Sequence, residues 1–304
     1  MISKKTLPRY AVLLAAYNGT NWIEAQIESI LNQKNVEVEL YISIDLSSDG
    51  TRNFLEGKYG SNKKIHILQD DGKFGGAAKN FYRLIRDVDF SDIDYVSLSD
   101  QDDIWNIDKL YNAHQLMIQH KCDGYSSNVM AFWKDGEKML IDKAQKQTCY
   151  DYLFEAAGPG CTYVVSSKLA LKIKEFITDK WIDVNNIALH DWLIYAFSRS
   201  NNFNWHIDKN TNMLYRQHSA NQVGANTGMG AKLKRLEMIR SSWYRNETIK
   251  IITVLNIENS FDFFPLILKK SYLNNIKLVL HIPKFRRRFK DKISFLIICM
   301  LGLY

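Results

Sequence analysis

Residues 93–105, Ile-Asp-Tyr-Val-Ser-Leu-Ser-Asp-Gln-Asp-Asp-Ile-Trp, place three carboxylates at the end of an apolar-rich run. The apolar part predicts a strand, which Asp100, Asp102 and Asp103 follow directly. Carboxylates this close repel one another, and a hard divalent cation, which prefers oxygen ligands, would offset that repulsion. In open α/β sheets ligands bind beyond the carboxyl ends of the strands, so the position also favours a binding site. The alternative is a solvated acidic turn that caps the helix expected to begin near Asp108.

Strand and helix signals alternate over the whole first third of the chain. Apolar residues at helical spacing separate the apolar runs, so the order is β-α-β-α-β. This order predicts an α/β fold with a mostly parallel sheet flanked by helices and right-handed crossovers. The additional strands are expected at residues 10–17, 36–45 and 64–68. Polar loops follow the strands and should meet along one edge of the sheet; they cover residues 17–20, 45–51, 69–76 and 99–103.

The composition limits the classes of protein to which the chain can belong. The chain has 304 residues, of which 46% are hydrophobic and 24% charged, as is typical of a globular protein. Its four cysteines lack metal-ligand spacing and its N-terminus lacks an apolar signal sequence, which favours a reducing cytoplasm. Residues 231–304 hold fifteen Lys/Arg against five Asp/Glu, so they account for more than the whole net charge of +7. The remaining body is slightly acidic, and we expect no nucleic-acid partner.

The basic segment 231–304 alternates apolar and cationic residues. It ends in an apolar run at residues 295–304, which is too short to span a bilayer. This pattern predicts a helical, amphipathic extension that lies on an anionic membrane surface. The alternative is a set of helices docked on the main domain or on a second subunit, as in a homodimer.

Four motifs occur in a recognisable order. They are Ala15-Ala-Tyr-Asn-Gly19, Asp45-Leu-Ser-Ser-Asp-Gly-Thr51, Asp100-Gln-Asp-Asp103 and His190-Asp191. Together they resemble the motifs of family 2 glycosyltransferases with a GT-A fold, and most closely those of bacterial rhamnosyltransferase-like members. The resemblance covers roughly residues 9–225. In the second motif Ile44 and Leu46 replace residues typical of the family, which affects the shape of that loop.

The resemblance implies a GT-A domain over residues 1–230 and a helical extension over 231–304. The nucleotide-sugar-binding half would cover about 1–105 and the acceptor half about 106–230. The implied activity is an inverting, metal-dependent transfer from a nucleotide-sugar, with dTDP-L-rhamnose as the first choice and UDP-hexoses as the second. The acceptor would be a polyprenyl-linked or growing cell-surface polysaccharide, at the inner face of the cell membrane.

The same resemblance implies a role for each candidate residue. Asp191 would be the general base that deprotonates the acceptor hydroxyl. Asp102, with Asp100 and His218, would bind Mg²⁺ or Mn²⁺. The donor would contact Ala15, Tyr17, Asn18, Asp45, Gly76, Lys79, Asp100, Gln101 and Arg216, and the acceptor would contact His190, Trp192 and Trp105.

Several of these residues have an ordinary structural interpretation as well. A lone histidine such as His218 is more often structural than a ligand. Gly76 and Lys79 are equally consistent with a plain helix start, and Trp105 and Trp192 with core positions.

Two other functions are less consistent with the sequence. A nucleotidyltransferase would have a Gly-rich, Lys/Arg-containing loop after the first strand, where this chain has Ala-Ala-Tyr-Asn-Gly. A non-catalytic nucleotide- or glycan-binding protein would not need to retain the carboxylates at positions 100, 102, 103 and 191.

Overall fold

The apolar run at residues 10–17 forms the strand around which the first half of the sheet assembles. In the computed structural model, which describes residues 6–218 and 229–304, the side chains of residues 10–14 are fully buried. A strand covered by helices on both faces is expected to be apolar throughout. The described strands are β1 Arg9–Ala16, β2 Glu37–Ile44, β3 Ile65–Ile67, β4 Tyr95–Asp100, β5 Ile104–Trp105, β6 Gly124–Phe132, β7 Lys138–Ile141, β8 Val164–Ser166 and β9 Trp205–Arg216.

The sheet is parallel in its first half and mixed in its second. Its strand order is β3-β2-β1-β4-β8-β6-β9-β5, with β7 paired to β6. The strands β3, β2, β1 and β4 all run parallel, as the alternating sequence pattern predicts. β8 then pairs antiparallel with both β4 and β6, and β6 pairs parallel with β9. The mostly parallel sheet expected from the sequence is thus limited to the strands of the first hundred residues.

Helices cover both faces of the sheet, and two apolar clusters fill the space between. One cluster packs helices of the C-terminal half against β1 and β4, and the other packs α1, α2 and α4 against β1 and β2. The helices are α1 Ile23–Leu31, α2 Thr51–Tyr59, α3 Ala77–Asp87, α4 Lys109–His120, α5 Ser167–Asp179, α6 Trp181–Val184, α7 His190–Ser200, α8 Met229–Arg240, α9 Trp243–Val254, α10 Phe264–Leu268, α11 Tyr272–Leu278, α12 Ile282–Phe285 and α13 Phe289–Met300.

Residues 229–304 are helical, as the sequence predicts, and they dock on the rest of the chain. Phe263, Phe285 and Phe295 lie in the same apolar cluster as Phe154, whose ring stacks on that of Phe285 at 4.0 Å. The sequence analysis gave such docking as the alternative to an extension that lies on a membrane. Within the ranges that the structure describes, no helix is long and apolar enough to cross a bilayer. The predicted boundary after residue 230 falls inside α8, and the division into two domains stays a prediction.

A buried carboxylate joins this segment to helix α7. Asp151, in a short 3₁₀ turn, has no exposed side-chain surface. It pairs with Arg287 at 2.9 Å and with Arg199 of α7 at 3.2 Å, and it accepts a hydrogen bond from the Tyr195 hydroxyl at 2.8 Å. The C-terminal segment and α7 therefore share one charged anchor.

We expect Asp151→Asn to lower the free energy of unfolding by about 3 kcal/mol, because it leaves buried guanidinium groups without their counter-charge. Urea unfolding followed by circular dichroism measures this difference. Glu175→Gln, which removes the exposed partner of Lys172, is the matched control and should stay close to wild type. A loss from Asp151→Asn no larger than that of the control would show that this network contributes no more than a surface pair.

Candidate active site

The four polar loops expected at one edge of the sheet do meet there, around a cleft of about 1030 Å³. Its volume is at the upper end of the range for small-molecule sites. One end is formed by residues that follow β1, β2 and β4, and the other by the first turn of α7 and by parts of the C-terminal segment. The predicted site residues that line the cleft are Ala15, Tyr17, Asn18, Asp45, Gly76, Asp100, Gln101, Asp102, His190, Asp191 and His218.

Asp45, at the end of β2, holds the loop that crosses the cleft. Its carboxylate accepts hydrogen bonds from the backbone N–H groups of Leu46, Phe74 and Gly75, each at 2.8 Å. Two of these bonds reach Oδ1 and one reaches Oδ2, so Oδ2 has a further lone pair for a donor group of a ligand. The structure thus gives Asp45 a loop-positioning role, and base recognition stays a prediction.

Side chains also connect the loops after β1, β2 and β4. The Gln101 amide donates to the Tyr17 carbonyl at 2.7 Å and accepts from the Tyr17 N–H at 2.8 Å. Asn18, with a positive φ of 46°, accepts from the Ser48 N–H at 2.8 Å. Tyr17 remains 56% exposed, so its ring is available at the surface of the cleft. These bonds fix the backbone where the donor is predicted to bind.

The three carboxylates of the acidic stretch face two different environments. Asp100 and Asp102 line the cleft, whereas Asp103 is completely buried and accepts a hydrogen bond from the Arg216 N–H at 3.1 Å. Burial, followed by the charges of Asp102 and Asp100, raises the pKa of Asp103 above its ordinary value. Asp103 does not cap α4, because the residue that precedes that helix is Asp108.

A buried lysine lies beneath this stretch. Lys109 is 1% exposed, and its ammonium group donates to the Cys161 carbonyl at 3.1 Å. The same group lies 3.2 Å from the centre of the Trp105 ring. Burial lowers the pKa of Lys109 to about 7, against the opposing effects of Cys161, Asp103 and Asp100. Lys109 is therefore a buried basic group within electrostatic reach of Asp100 and Asp103.

His218 reaches back to the acidic stretch, as the sequence predicts. Its Nε2 lies 2.7 Å from Oδ2 of Asp102, and its ring stacks on Trp22 at 4.0 Å with the planes 11° apart. Trp22 precedes α1 and also lines the cleft, and no sequence motif marked it as a site residue. The pair Asp102–His218 thus offers one oxygen and one nitrogen atom at the same point.

Asp191, in the first turn of α7, lies within electrostatic reach of Asp100. Burial raises its pKa to about 6, and its Oδ1 accepts from the Trp192 N–H at 2.8 Å. Its neighbour His190 stacks on Phe81 at 4.1 Å, and burial lowers the pKa of His190 to about 3, so the imidazole is neutral. Within the described residues the His190 Nε2 has no hydrogen-bond partner. The cleft therefore presents a further carboxylate, on a different element from Asp100 and Asp102.

This arrangement agrees with the comparison with known proteins. A model of the family described as Glycosyl transferase family 2 matches residues 11–164. The chain belongs to glycosyl transferase family 2. It is 47% identical over 292 residues to the dTDP-rhamnosyl transferase RfbG of Shigella flexneri, a match that covers 96% of this chain and 100% of that protein. The prediction of a family 2 glycosyltransferase is confirmed.

Solved structures confirm the fold. The TarS 1-349 fragment of S. aureus in complex with UDP has a TM-score of 0.56 and 14% sequence identity, over 97% of this chain and 90% of that chain. The mannosyltransferase PcManGT of Pyrobaculum calidifontis, in complex with GDP-Man and Mn²⁺, has a TM-score of 0.52 and 12% identity, over 98% and 88% of the two chains.

Four predicted site residues of this family 2 glycosyltransferase lie elsewhere. Trp105 and Trp192 are each 3% exposed and belong to the core, so neither ring can offer a face to a sugar. Lys79 is exposed on α3 and does not line the cleft. Arg216 donates from Nε to the Asp102 carbonyl at 2.7 Å, which holds the acidic stretch in place.

The sequence analysis missed several residues that do line the cleft. Lys73 belongs to the loop held by Asp45, and Lys143 and Glu155 lie between β7 and β8. Arg288 and Asp291 belong to the C-terminal segment, which the sequence placed at a membrane instead. No spacing signal marks these positions, because each reaches the cleft through tertiary packing.

Gly160 lies against the His190–Asp191 pair. A Cβ atom there would be 2.6 Å from the His190 Nε2 and 3.1 Å from the Asp191 Cβ. We expect Gly160→Ala to displace these side chains and to lower kcat for sugar transfer by up to about 10²-fold, since small misplacements of a catalytic group have effects of this size. Steady-state kinetics measures the change.

The matched control is Gly57→Ala in α2, where an added Cβ meets nothing within 4 Å. It should leave kcat unchanged and stabilise the helix slightly. A Gly160→Ala variant with normal kcat would show that the position of the His190–Asp191 pair is not critical.

Proposed function

We propose that the protein is an inverting, metal-dependent glycosyltransferase that moves L-rhamnose from dTDP-L-rhamnose onto a lipid-linked glycan. The single observation that carries the proposal is the carboxylate of Asp191, which lines the same cleft as the Asp100 and Asp102 pair. The choice of sugar is supported by the name of RfbG, to which the chain is similar over nearly its whole length. A UDP-hexose donor is the second candidate, because the structurally similar TarS fragment was solved with UDP.

Asp191 suits the role of general base. An inverting transfer needs one group that accepts the proton of the acceptor hydroxyl as the new bond forms. With a pKa raised to about 6 by burial, Asp191 is ionised at neutral pH but more basic than an ordinary aspartate. The neutral His190 beside it adds no positive charge that would lower this basicity.

A divalent cation fits the other end of the cleft. Asp102, His218 and Asp100 supply carboxylate and imidazole ligands, a set that suits Mn²⁺ or Mg²⁺. Ligand atoms of Asp100, Asp103 and Cys161 also lie within 4.8 Å of one another. Burial raises the pKa of the Cys161 thiol, however, and a protonated thiol is a poor ligand for a hard cation. When bound, the cation would neutralise charge on the leaving diphosphate. The PcManGT complex with GDP-Man and Mn²⁺ supports this assignment.

The test combines a donor screen with Asp191→Asn. We expect dTDP-L-rhamnose to raise the melting temperature of the wild type more than UDP-glucose, UDP-galactose or UDP-GlcNAc does, and only with Mn²⁺ or Mg²⁺ present. Asp191→Asn should keep this shift but lower the transfer rate by about 10³-fold or more, because a general base typically contributes 10²- to 10⁴-fold.

The pH profile gives a second readout for the same residue. Transfer by the wild type should fall as the pH falls through about 6, because protonated Asp191 cannot accept the hydroxyl proton, and it should level off above that value. Asp183→Asn, an exposed position outside the cleft, should match the wild type in rate and pH profile. Normal transfer by Asp191→Asn would remove Asp191 from the mechanism, and donor binding without transfer to any acceptor would indicate a non-catalytic binding protein.

We also propose that the protein acts in the cytoplasm, peripherally at the inner face of the cell membrane. One face of α13 carries a stripe of exposed apolar side chains at helical spacing. Exposed or partly exposed lysines lie beside it, which fits a surface of anionic lipid. The apolar side chains are Phe289, Ile293, Leu296, Ile297 and Met300, and the nearest lysines are Lys290 and Lys292.

Vesicle sedimentation tests this surface. The wild type should bind vesicles that contain phosphatidylglycerol and bind pure phosphatidylcholine vesicles much less, and Phe289→Ser with Ile297→Ser should abolish the difference. Leu171→Ser, at an exposed position of α5, is the matched control and should bind like the wild type. Unchanged binding by the double variant would disprove the membrane role of α13, and a dimer that the double variant dissociates would assign this face to a homodimer instead.

A further inference from the structure

The end of the cleft beyond Asp191 carries a group of cations that the proposed reaction does not use. Lys143 lies close enough to Asp191 to lower the pKa of that carboxyl. Burial lowers the pKa of Lys143 itself. The charges of Glu155 and Asp291 oppose this decrease, whereas those of Arg287 and Arg286 add to it. Lys143, at the wall of the cleft, thus interacts with four charged residues. Glu155 belongs to the segment before β8, and Arg286, Arg287 and Asp291 belong to the C-terminal segment.

Charges of both signs meet at this end of the cleft, and several of them are paired. Arg287 is neutralised by Asp151, which also pairs with Arg199. Glu155 lies 3.6 Å from Arg287 and accepts its backbone N–H at 2.7 Å. The cations are Lys143, Arg199, Arg286, Arg287 and Arg288, and the carboxylates near them are Asp151, Glu155, Asp191 and Asp291.

Two of these cations face the cleft without an ion pair. Lys143 and Arg288 both line it, and neither side chain forms a salt bridge to any residue within the described ranges. Arg286, by contrast, donates to the Phe154 carbonyl and does not line the cleft. Lys143 and Arg288 are therefore the two cations of this group that are available to a ligand.

Arg288 also marks the start of α13. Its carbonyl accepts from the N–H groups of Asp291 and Lys292, each at 3.0 Å, so the amino end of the helix opens at the cleft. A helix N-terminus favours an anion, and here the arginine precedes a helix of 12 residues. The exposed apolar stripe of the same helix begins one residue later, at Phe289. A ligand with an anionic group next to a lipid chain would match a cationic surface at Arg288 followed by the apolar stripe of α13.

We propose that Lys143 and Arg288 bind the phosphate groups that join the acceptor glycan to its lipid. The inference rests on the proposed function, because it assumes a lipid-linked acceptor whose sugar hydroxyl lies at Asp191. The two side chains hold the diphosphate at the cleft wall while the lipid follows the apolar face of α13. The donor's diphosphate is bound separately, at the end of the cleft lined by Asp100 and Asp102.

The kinetic test compares two acceptors that carry the same glycan. One is linked through a diphosphate to a short alkyl chain, and the other is a neutral alkyl glycoside. We expect Arg288→Met and Lys143→Met each to raise KM for the diphosphate acceptor by about tenfold or more, the size of one lost charge-assisted hydrogen bond. KM for the neutral acceptor and for the donor should stay unchanged, so the preference of the wild type for the diphosphate acceptor should disappear.

Matched variants separate binding from folding. Lys284→Met removes one exposed cation of the same segment outside the cleft and should behave like the wild type. Arg288→Lys keeps the charge and should recover part of the affinity. An equal rise of KM for both acceptors, or a rise of KM for the donor, would overturn the proposal.

A binding measurement keeps this test independent of the proposed reaction. The alkyl diphosphate alone, without a glycan, should bind the wild type in calorimetry and bind Arg288→Met at least about tenfold more weakly. Equal affinity for the two proteins would disprove the phosphate site even if no sugar transfer were detected. Tight, Arg288-dependent binding without transfer would leave the site in place and contradict the proposed function.

Discussion

The buried charge of Asp151 is the constraint on which the second half of the structure depends. A carboxylate without exposed surface is stable only when paired, and its partners come from two distant parts of the chain. Arg199 ends the helix that begins with His190 and Asp191, and Arg287 immediately precedes the arginine at the cleft wall. One anchor thus sets the position of the proposed base relative to the proposed acceptor-binding cations.

The acidic stretch also contains a buried carboxylate, that of Asp103. Its three carboxylates suggested from sequence a single exposed cluster that needs a cation. The backbone instead turns Asp103 inward, towards the region of Lys109, and leaves Asp100 and Asp102 at the cleft. This division limits the charge presented to a ligand to two carboxylates.

The sequence was sufficient for the parallel first half of the sheet and for the loops that meet at its edge, because both follow from local patterns. An apolar run such as residues 10–14 identifies a buried strand, and polar residues after parallel strands must meet at one edge. The face of a helix or short strand that a given side chain occupies is harder to predict. Lys79, Trp105 and Trp192 each follow a motif residue closely in sequence, yet they point outward or into the core. Proximity in sequence does not determine which face a side chain occupies.

The C-terminal segment shows why the acceptor end could not be predicted in the same way. Phe285 and Phe289 both sit in a stretch of alternating aromatic and basic residues, and both fit a core or a lipid surface equally well by composition. Their environments differ because Phe154, more than a hundred residues away, offers a ring against which Phe285 stacks. Phe289 has no such support and is 74% exposed. The contact that separates the two environments also places Arg288, between them, at the cleft, through packing that no local pattern reports.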